Sequence, residues 1–381
     1  MNIVRIIFAF MLMLGIYGGS NFYIARRLYQ ALHFPFPHIT IWIYSGVYTL
    51  IALSMFLGFM PFPYAIKKIF TWISGYWFGI FVYFLLFFLA ADVIIISGRL
   101  IKLVPGSLAQ NLQFYKGIFA VLCTCLVIVY GIYNAHKIIH VSYDITLKNT
   151  PLANEIKIVL ISDTHLGAVN SEKNLSKMVH MINDLEPDIV CIPGDIFNDD
   201  FNAIQNPEKA KELFKTIKAT YGVYACLGNH DGGKSFGEML RFLEQSNIKL
   251  LNDESATIDN RLVLIGRVDS SPIGGFGGLK RKDMADVLAL IDTTLPIVVM
   301  DHSPGGIGHY GSEIDLILAG HTHKGQIFPG NLFTNAMFAV DYGQYQKDDT
   351  GSQVIVTSGA GTWGPPMRIG TYNEIVSIVL H

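Results

Sequence analysis

The chain has 381 residues, 51% of them apolar, with 28 Lys or Arg against 30 Asp or Glu. Residues 1–140 hold nine bases and one acid, so the rest hold nineteen bases and twenty-nine acids, and the two parts carry charges near +8 and −10. An acidic polar part excludes a general polyanion binder, because nucleic-acid affinity rests on cationic side chains facing phosphates.

Four apolar stretches come first, near 3–23, 41–62, 69–98 and 117–134. A helix needs about 20 residues to cross the hydrocarbon core of a bilayer, so residues 1–140 are expected to form a multi-pass transmembrane bundle of four spans in a cell membrane. The third stretch is overlong for one span and too short for two, a mismatch that tilt absorbs. Trp42, Trp72, Tyr76, Trp77 and Tyr130 crowd the edges as an interfacial belt would. Gly18-Gly19-Ser20 is a poor cleavage site and further spans follow, so the first stretch reads as a retained anchor. Asp92 falls inside the third span, where a carboxylate is costly, and Arg99 or Lys102 near the helix end is its expected partner. An even number of spans leaves five bases (Arg26, Arg27, Arg99, Lys102, Lys116) opposite the C-terminal part and four (Arg5, Lys67, Lys68, Lys137) on its side. That margin predicts an extracytoplasmic C-terminal part.

Residues 141–155 read as a linker and leading strand, and 156–381 as one α/β domain. Apolar, β-branched runs at 156–162, 188–192, 221–227, 295–300 and 314–319 have the length of buried parallel strands. Helical periodicity fills the intervals at 172–185, 207–219, 236–245 and 282–291, and two short antiparallel strands are expected around Asp259-Asn260. The four cysteines make no disulfide scaffold: Cys123 and Cys125 fall in the fourth span, and Cys191 and Cys226 in apolar strands.

Each apolar run ends in polar chemistry: Asp163-Thr-His165, Gly194-Asp195, Gly228-Asn229-His230-Asp231, Asp301-His302 and Gly320-His321-Thr-His323. In open α/β sheets the loops after the strands build the site, so these groups are expected to converge. Five of the eight histidines after residue 155 lie in these motifs, which argues against chance placement. In an extended Asp-x-His or His-x-His segment both side chains point the same way. A carboxylate bridge, imidazoles and oxygens suit two divalent ions; without a cysteine among the donors, Mn²⁺, Fe or Zn²⁺ all fit.

Together these motifs, spanning nearly all of 156–325, resemble the calcineurin-like metallophosphoesterases. Gly320-His321-Thr-His-x-Gly-Gln326 and Gly359-Ala-Gly-Thr-Trp363-Gly-Pro-Pro resemble the membrane-associated YkuE-like branch. The resemblance implies a mixed β-sandwich flanked by helices. It also implies one ion on Asp163, His165, Asp195 and His323 and another on Asp195, Asn229, His302 and His321. His230 is then left to stabilise the phosphoryl group or protonate the leaving oxygen, with Asp231 orienting it or raising its basicity. Asp199, Asp200 and Asp269 read as surface or turn acids, Asp301 as pointing away, and Lys324 as a solvated loop lysine.

The implied activity is hydrolysis of a phosphomonoester, phosphodiester or pyrophosphate by metal-activated water. The substrate is a phosphate-bearing small molecule or, given the short tether, a lipid-linked phosphate. Two other classes stay open. A phosphate-ligand sensor or scaffold would be favoured by loss of a ligand, and a transporter with a regulatory domain by intramembrane polar pairs.

Overall fold

The computed structural model describes residues 3–58, 60, 62–103, 109–147, 152, 154–170, 172–346 and 351–381. Parts of the expected second span (59 and 61) and of the expected linker (148–151 and 153) lie outside the described residues. The chain forms two compact units, Met1–Gly131 and Ile132–His381.

The first unit contains α1 (Ile3–His33), α2 (Ile41–Leu57), α3 (Tyr64–Leu100) and most of α4 (Ala109–Ala135). Three of these are long and apolar enough to cross a membrane, over Ile7–His33, Ala65–Leu100 and Asn111–Ala135. Helix α2 has 17 residues. At 1.5 Å per residue it reaches about 25 Å, short of the roughly 30 Å hydrocarbon core.

Asp92 has partners other than those expected. Its Oδ2 accepts from Arg27 Nη2 and from the Tyr23 hydroxyl, each at 2.6 Å, and its Oδ1 accepts from Lys116 Nζ at 2.6 Å. Arg99 lies two turns away on the same helix, about 10 Å along the axis, whereas Arg27 and Lys116 reach across from α1 and α4. This removes two bases from the loop tally. Arg26, Arg99 and Lys102 now face Arg5, Lys67, Lys68 and Lys137, so loop charge no longer favours the extracytoplasmic orientation.

The second unit packs two six-stranded sheets face to face. The first sheet contains β1 (Ile138–Ile145), β12 (Asn373–Leu380), β2 (Ile156–Leu160), β3 (Ile189–Pro193), β4 (Val223–Cys226) and β5 (Ile248–Leu250), in that spatial order. The second runs β10 (Gly343–Gln346), β11 (Gln353–Val356), β9 (Leu316–Ala319), β8 (Ile297–Met300), β7 (Leu262–Gly266) and β6 (Glu254–Ile258). Neighbours β2 to β5 are parallel, as are β11, β9, β8 and β7, while β12 runs antiparallel to β2, and β6 and β10 antiparallel to their neighbours.

The uniform apolarity of the central strands follows from burial on both faces. Ile158 and Leu160 pack with Leu264, Val298 and Leu318 between the sheets. Val159 and Ile161 point the other way, with Val190 and Ala225, under α5 (Glu172–Asp184), α6 (Pro207–Lys215) and α7 (Phe236–Gln245). On the outer side of the second sheet, Ile265, Val299 and Ile317 pack with Val287 of α8 (Met284–Leu288). The expected strands and helices all form, most of them shortened at their ends, α7 with the expected bounds and β3 shifted by one residue, and the strand pair at Asp259-Asn260 is β6 and β7. The strand preceding β2 begins at Ile138 and pairs in parallel with β12 over its full length.

Candidate metal centre

Strands β2, β3 and β4 of one sheet and β8 and β9 of the other finish near one edge of the sandwich, and the loops that follow them carry all the polar motifs. Sequence reasoning treats Asp163-x-His165 and His321-x-His323 as extended. They are not. Strand β2 stops at Leu160 and β9 at Ala319, and Asp163, His165, His321 and His323 all have left-handed φ values of 56°, 45°, 71° and 50°. Asp195 does too, at 53°. Such backbone costs on the order of 1 kcal/mol or more per non-glycine residue and persists where surrounding bonds over-determine it. Here Asp163 N donates to Gly194 O, His165 N to Asp195 O, and His321 N to both carboxylate oxygens of Asp163.

These loops bring two donor groups together, Asp163 with His165 and His323, and Asp195 with His302 and His321. In the first, His165 Nε2 lies 3.1 Å from His323 Nε2, which is 3.4 Å from Asp163 Oδ1. In the second, His302 Nε2 lies 3.0 Å from Asn229 Oδ1 and 3.2 Å from His321 Nδ1. The Asp195 carboxylate stands between the groups, with Oδ2 3.6 Å from His165 Nε2 and 3.1 Å from His302 Nε2.

The donors suit a cation. His302 Nδ1 approaches Pro193 O at 2.8 Å, so it donates there and its Nε2 faces two acceptor oxygens, those of Asn229 and Asp195. A proton on Nε2 or a cation between them satisfies this arrangement. Burial supplies the ligand protonation states elsewhere: it lowers His165 to about 3 and His321 to about 4 and holds His323 well below the usual range, leaving neutral rings with free lone pairs. Burial opposes ionisation of Asp195, yet His302 and His165 hold its pKa well down. His302 is raised because the charge of Asp195 outweighs its burial. A metal ion would take the place of that proton. Burial also lifts Asp163, to about 6.

His230 stands apart from both groups. Its Nδ1 is 2.7 Å from Asp199 Oδ1, and its ring lies edge-on to His165. Asp199, read from sequence as a turn acid, therefore occupies the position expected of Asp231. Burial of the His230 ring opposes its charged form, but Asp199 and Asp195 overcome this and raise its pKa. The Asp231 carboxylate instead accepts from the backbone N–H groups of Asp195, Phe197 and Gly228, at 2.8, 2.9 and 2.8 Å. A side chain facing three amides of two adjacent loops cannot also turn to its chain neighbour.

Further residues missed from sequence hold the loops. Arg368, fully buried, donates to the carbonyls of His323, Ser358, Gly359 and Gly361. Gln326 exchanges bonds with the backbone of Trp363, whose ring lies 5.7 Å from that of His230. No spacing signal marks Arg368, because its partners are carbonyls scattered along the chain. Asp301 does point away, into a bidentate pair with Arg281. Asp200 and Asp269 cap turns at Asn202 N and Ser271 N, the latter buried. Lys324 is not simply solvated: its Nζ sits 3.8 Å over the Tyr342 ring.

Comparison with known proteins agrees with this geometry. The sequence model described as calcineurin-like phosphoesterase matches residues 156–325. An uncharacterized metallophosphoesterase of Aquifex aeolicus is 30% identical over 239 residues, covering 62% of this chain and 90% of that protein. This chain belongs to the calcineurin-like phosphoesterase family. An uncharacterized metallophosphoesterase of Campylobacter jejuni is 28% identical over 397 residues, 98% of each chain, so this phosphoesterase shares similarity with it through the helical part as well. YkuE of Bacillus subtilis is 25% identical over 284 residues, 70% of this chain and 96% of that one. The phosphoesterase is thus a metal-dependent enzyme acting on phosphoric esters.

Proposed function

We propose that the protein is a membrane-anchored phosphoesterase working with two divalent ions, one held by Asp163, His165, Asp195 and His323 and the other by Asp195, Asn229, His302 and His321. The observation that carries this reading is the Asp195 carboxylate lying between two groups of converging imidazole and oxygen donors. Mn²⁺, Fe or Zn²⁺ suits such a mixed set. Bound ions supply Lewis acidity toward a phosphoryl oxygen and a water acidic enough to attack at neutral pH. His230, its backbone N–H bonded to Asp195 and its ring braced by Asp199 outside both donor groups, donates a proton to the leaving oxygen or a hydrogen bond to the phosphoryl group. Asp231 ties the β3 and β4 loops so that Asp195 and His230 keep their spacing. The intact donor set and His230 favour turnover over ligand sensing.

Anchoring rests on the three helices long and apolar enough to cross a membrane; α2, with 17 residues, would be a fourth crossing where the bilayer thins to match it. The decisive assay uses the purified full chain in lipid nanodiscs with Mn²⁺, Fe²⁺ or Zn²⁺ on a panel of phosphomonoesters, phosphodiesters and pyrophosphates. Hydrolysis by the wild type and none by Asp195→Asn supports the reading; a wild type inert on the whole panel with every metal rejects it. Orientation is read separately, by labelling a cysteine placed at exposed Lys209 with an impermeant maleimide in intact cells. Labelling before lysis makes the catalytic unit extracytoplasmic, and labelling only after lysis makes it cytoplasmic.

A further inference from the structure

Helix α9 (Gly330–Met337) follows directly on the metal-ligand loop, and none of its residues is buried. Leu332, Phe333 and Met337 are 60%, 67% and 75% exposed, although a helix on a polar surface has no reason to present such side chains to water. At 3.6 residues per turn they cover about 140° of its circumference, one continuous face. The helix is held firmly in this place. Thr334 Oγ1 donates to Asp341 Oδ2 at 2.7 Å, and Thr322 Oγ1, between the two histidines of the metal loop, donates to Asp341 O at 2.6 Å. Phe338, one residue past the helix, packs edge-on against His321. An exposed apolar face is therefore fixed beside the candidate metal ligands, and Trp363, half exposed, lies beside His230.

A second observation points to what covers this face. The last turn of α4, one of the three membrane-length helices, belongs to the catalytic unit. Asn134 Nδ2 there donates to Arg368 O and Thr371 O at 3.1 and 2.7 Å, and Asn373 Nδ2 donates to Ala135 O at 2.6 Å. Arg368 in turn bonds the carbonyl of His323. The end of an apolar helix and a candidate metal ligand thus share one support, Arg368, within the catalytic unit. Tyr133 and Tyr372, both exposed, flank the same junction as interfacial aromatics do.

We propose that the α9 face holds the hydrocarbon part of a membrane-resident phosphoester while its phosphate reaches the metal centre, so the substrate is an amphiphile rather than a soluble metabolite. This rests on the phosphoesterase reading above. It predicts that affinity rises with alkyl length, since each methylene fully buried is worth about fourfold. The test uses the full chain in nanodiscs, with hydrolysis of p-nitrophenyl phosphate and bis(p-nitrophenyl) phosphate as the basal readout and butyl, hexyl and octyl phosphate as competing inhibitors. In the wild type octyl phosphate should inhibit at least tenfold more tightly than butyl phosphate. In a Leu332→Ser, Phe333→Ser, Met337→Ser variant that difference should fall below threefold, with uninhibited turnover within twofold of wild type. Because alkyl phosphates also enter the nanodisc lipid in both proteins, only the change between them counts. An equal chain-length dependence in both proteins, or none in the wild type, overturns the proposal. Absence of nitrophenyl ester hydrolysis with any metal instead overturns the phosphoesterase reading itself.

Discussion

Among the described residues Asp195 is the carboxylate within reach of imidazoles from both donor groups, so its loss should act on both ions together. Asp195→Ala is expected to lose most bound metal and nearly all activity; elemental analysis finding a full metal complement would remove it from the bridging position. His230→Ala should keep both ions and lower turnover about 10² to 10⁴-fold, the usual contribution of a general acid or phosphoryl stabiliser. Asp199 makes this sharper. Since its carboxylate bonds His230 Nδ1, Asp199→Asn should lower turnover less than His230→Ala, and adding it to His230→Ala should cost nothing more. Additive losses in that double-mutant cycle would separate Asp199 from the work of His230. The identity of most site residues is legible from their position after apolar runs, but the Asp199 partnership is not. Asp199 is no chain neighbour of His230, and only the packing of the β3 loop against the β4 loop brings the pair within a hydrogen bond.

The elements that hold the site are strand ends turned into left-handed loops, and glycine supplies the room they need. Gly359 has φ +82° and sits where a Cβ would lie 2.8 Å from the Cβ of Asp163. Gly359→Ala should therefore push Asp163 out of place, reducing metal affinity and lowering the thermal midpoint. An unchanged metal titration in that variant would show that the loop yields without cost. Period-two reasoning fails here for a definite reason: left-handed φ at alternate residues redirects the side chains of Asp163 and His165 even though the donor types are right. Strands β2, β3, β4, β8 and β9 are readable because burial on both faces makes them continuously apolar. Strand β12 is harder to read. Its Glu374 is buried and accepts hydrogen bonds from the Thr357 and Tyr342 hydroxyls, a placement that polarity along the chain argues against.

At the scale of the whole molecule, an apolar helical unit precedes a two-sheet catalytic unit, and each has its own polar centre. In the helical unit, Asp92 accepts from two cations and a tyrosine. Replacing it with Ala leaves Arg27 and Lys116 facing each other without a counter-charge, and breaking such a pair costs on the order of 3 kcal/mol or more. Asp92→Ala is expected to lower the thermal midpoint of the detergent-solubilised protein while its metal content stays complete. Arg27→Gln should partly restore it when added. Loss of metal in Asp92→Ala would instead couple the two units. By itself the sequence determined that the first part carries apolar stretches of membrane-crossing length, that the rest alternates strand and helix, and which residue types stand at strand ends, because these depend on local apolarity, periodicity and order along the chain. Only the tertiary structure decided that Arg27 and Lys116 neutralise Asp92, that Asp199 rather than Asp231 holds His230, and that Arg368 and α9 frame the metal loop. Each of those depends on which distant segments pack together, and neither spacing nor composition encodes that.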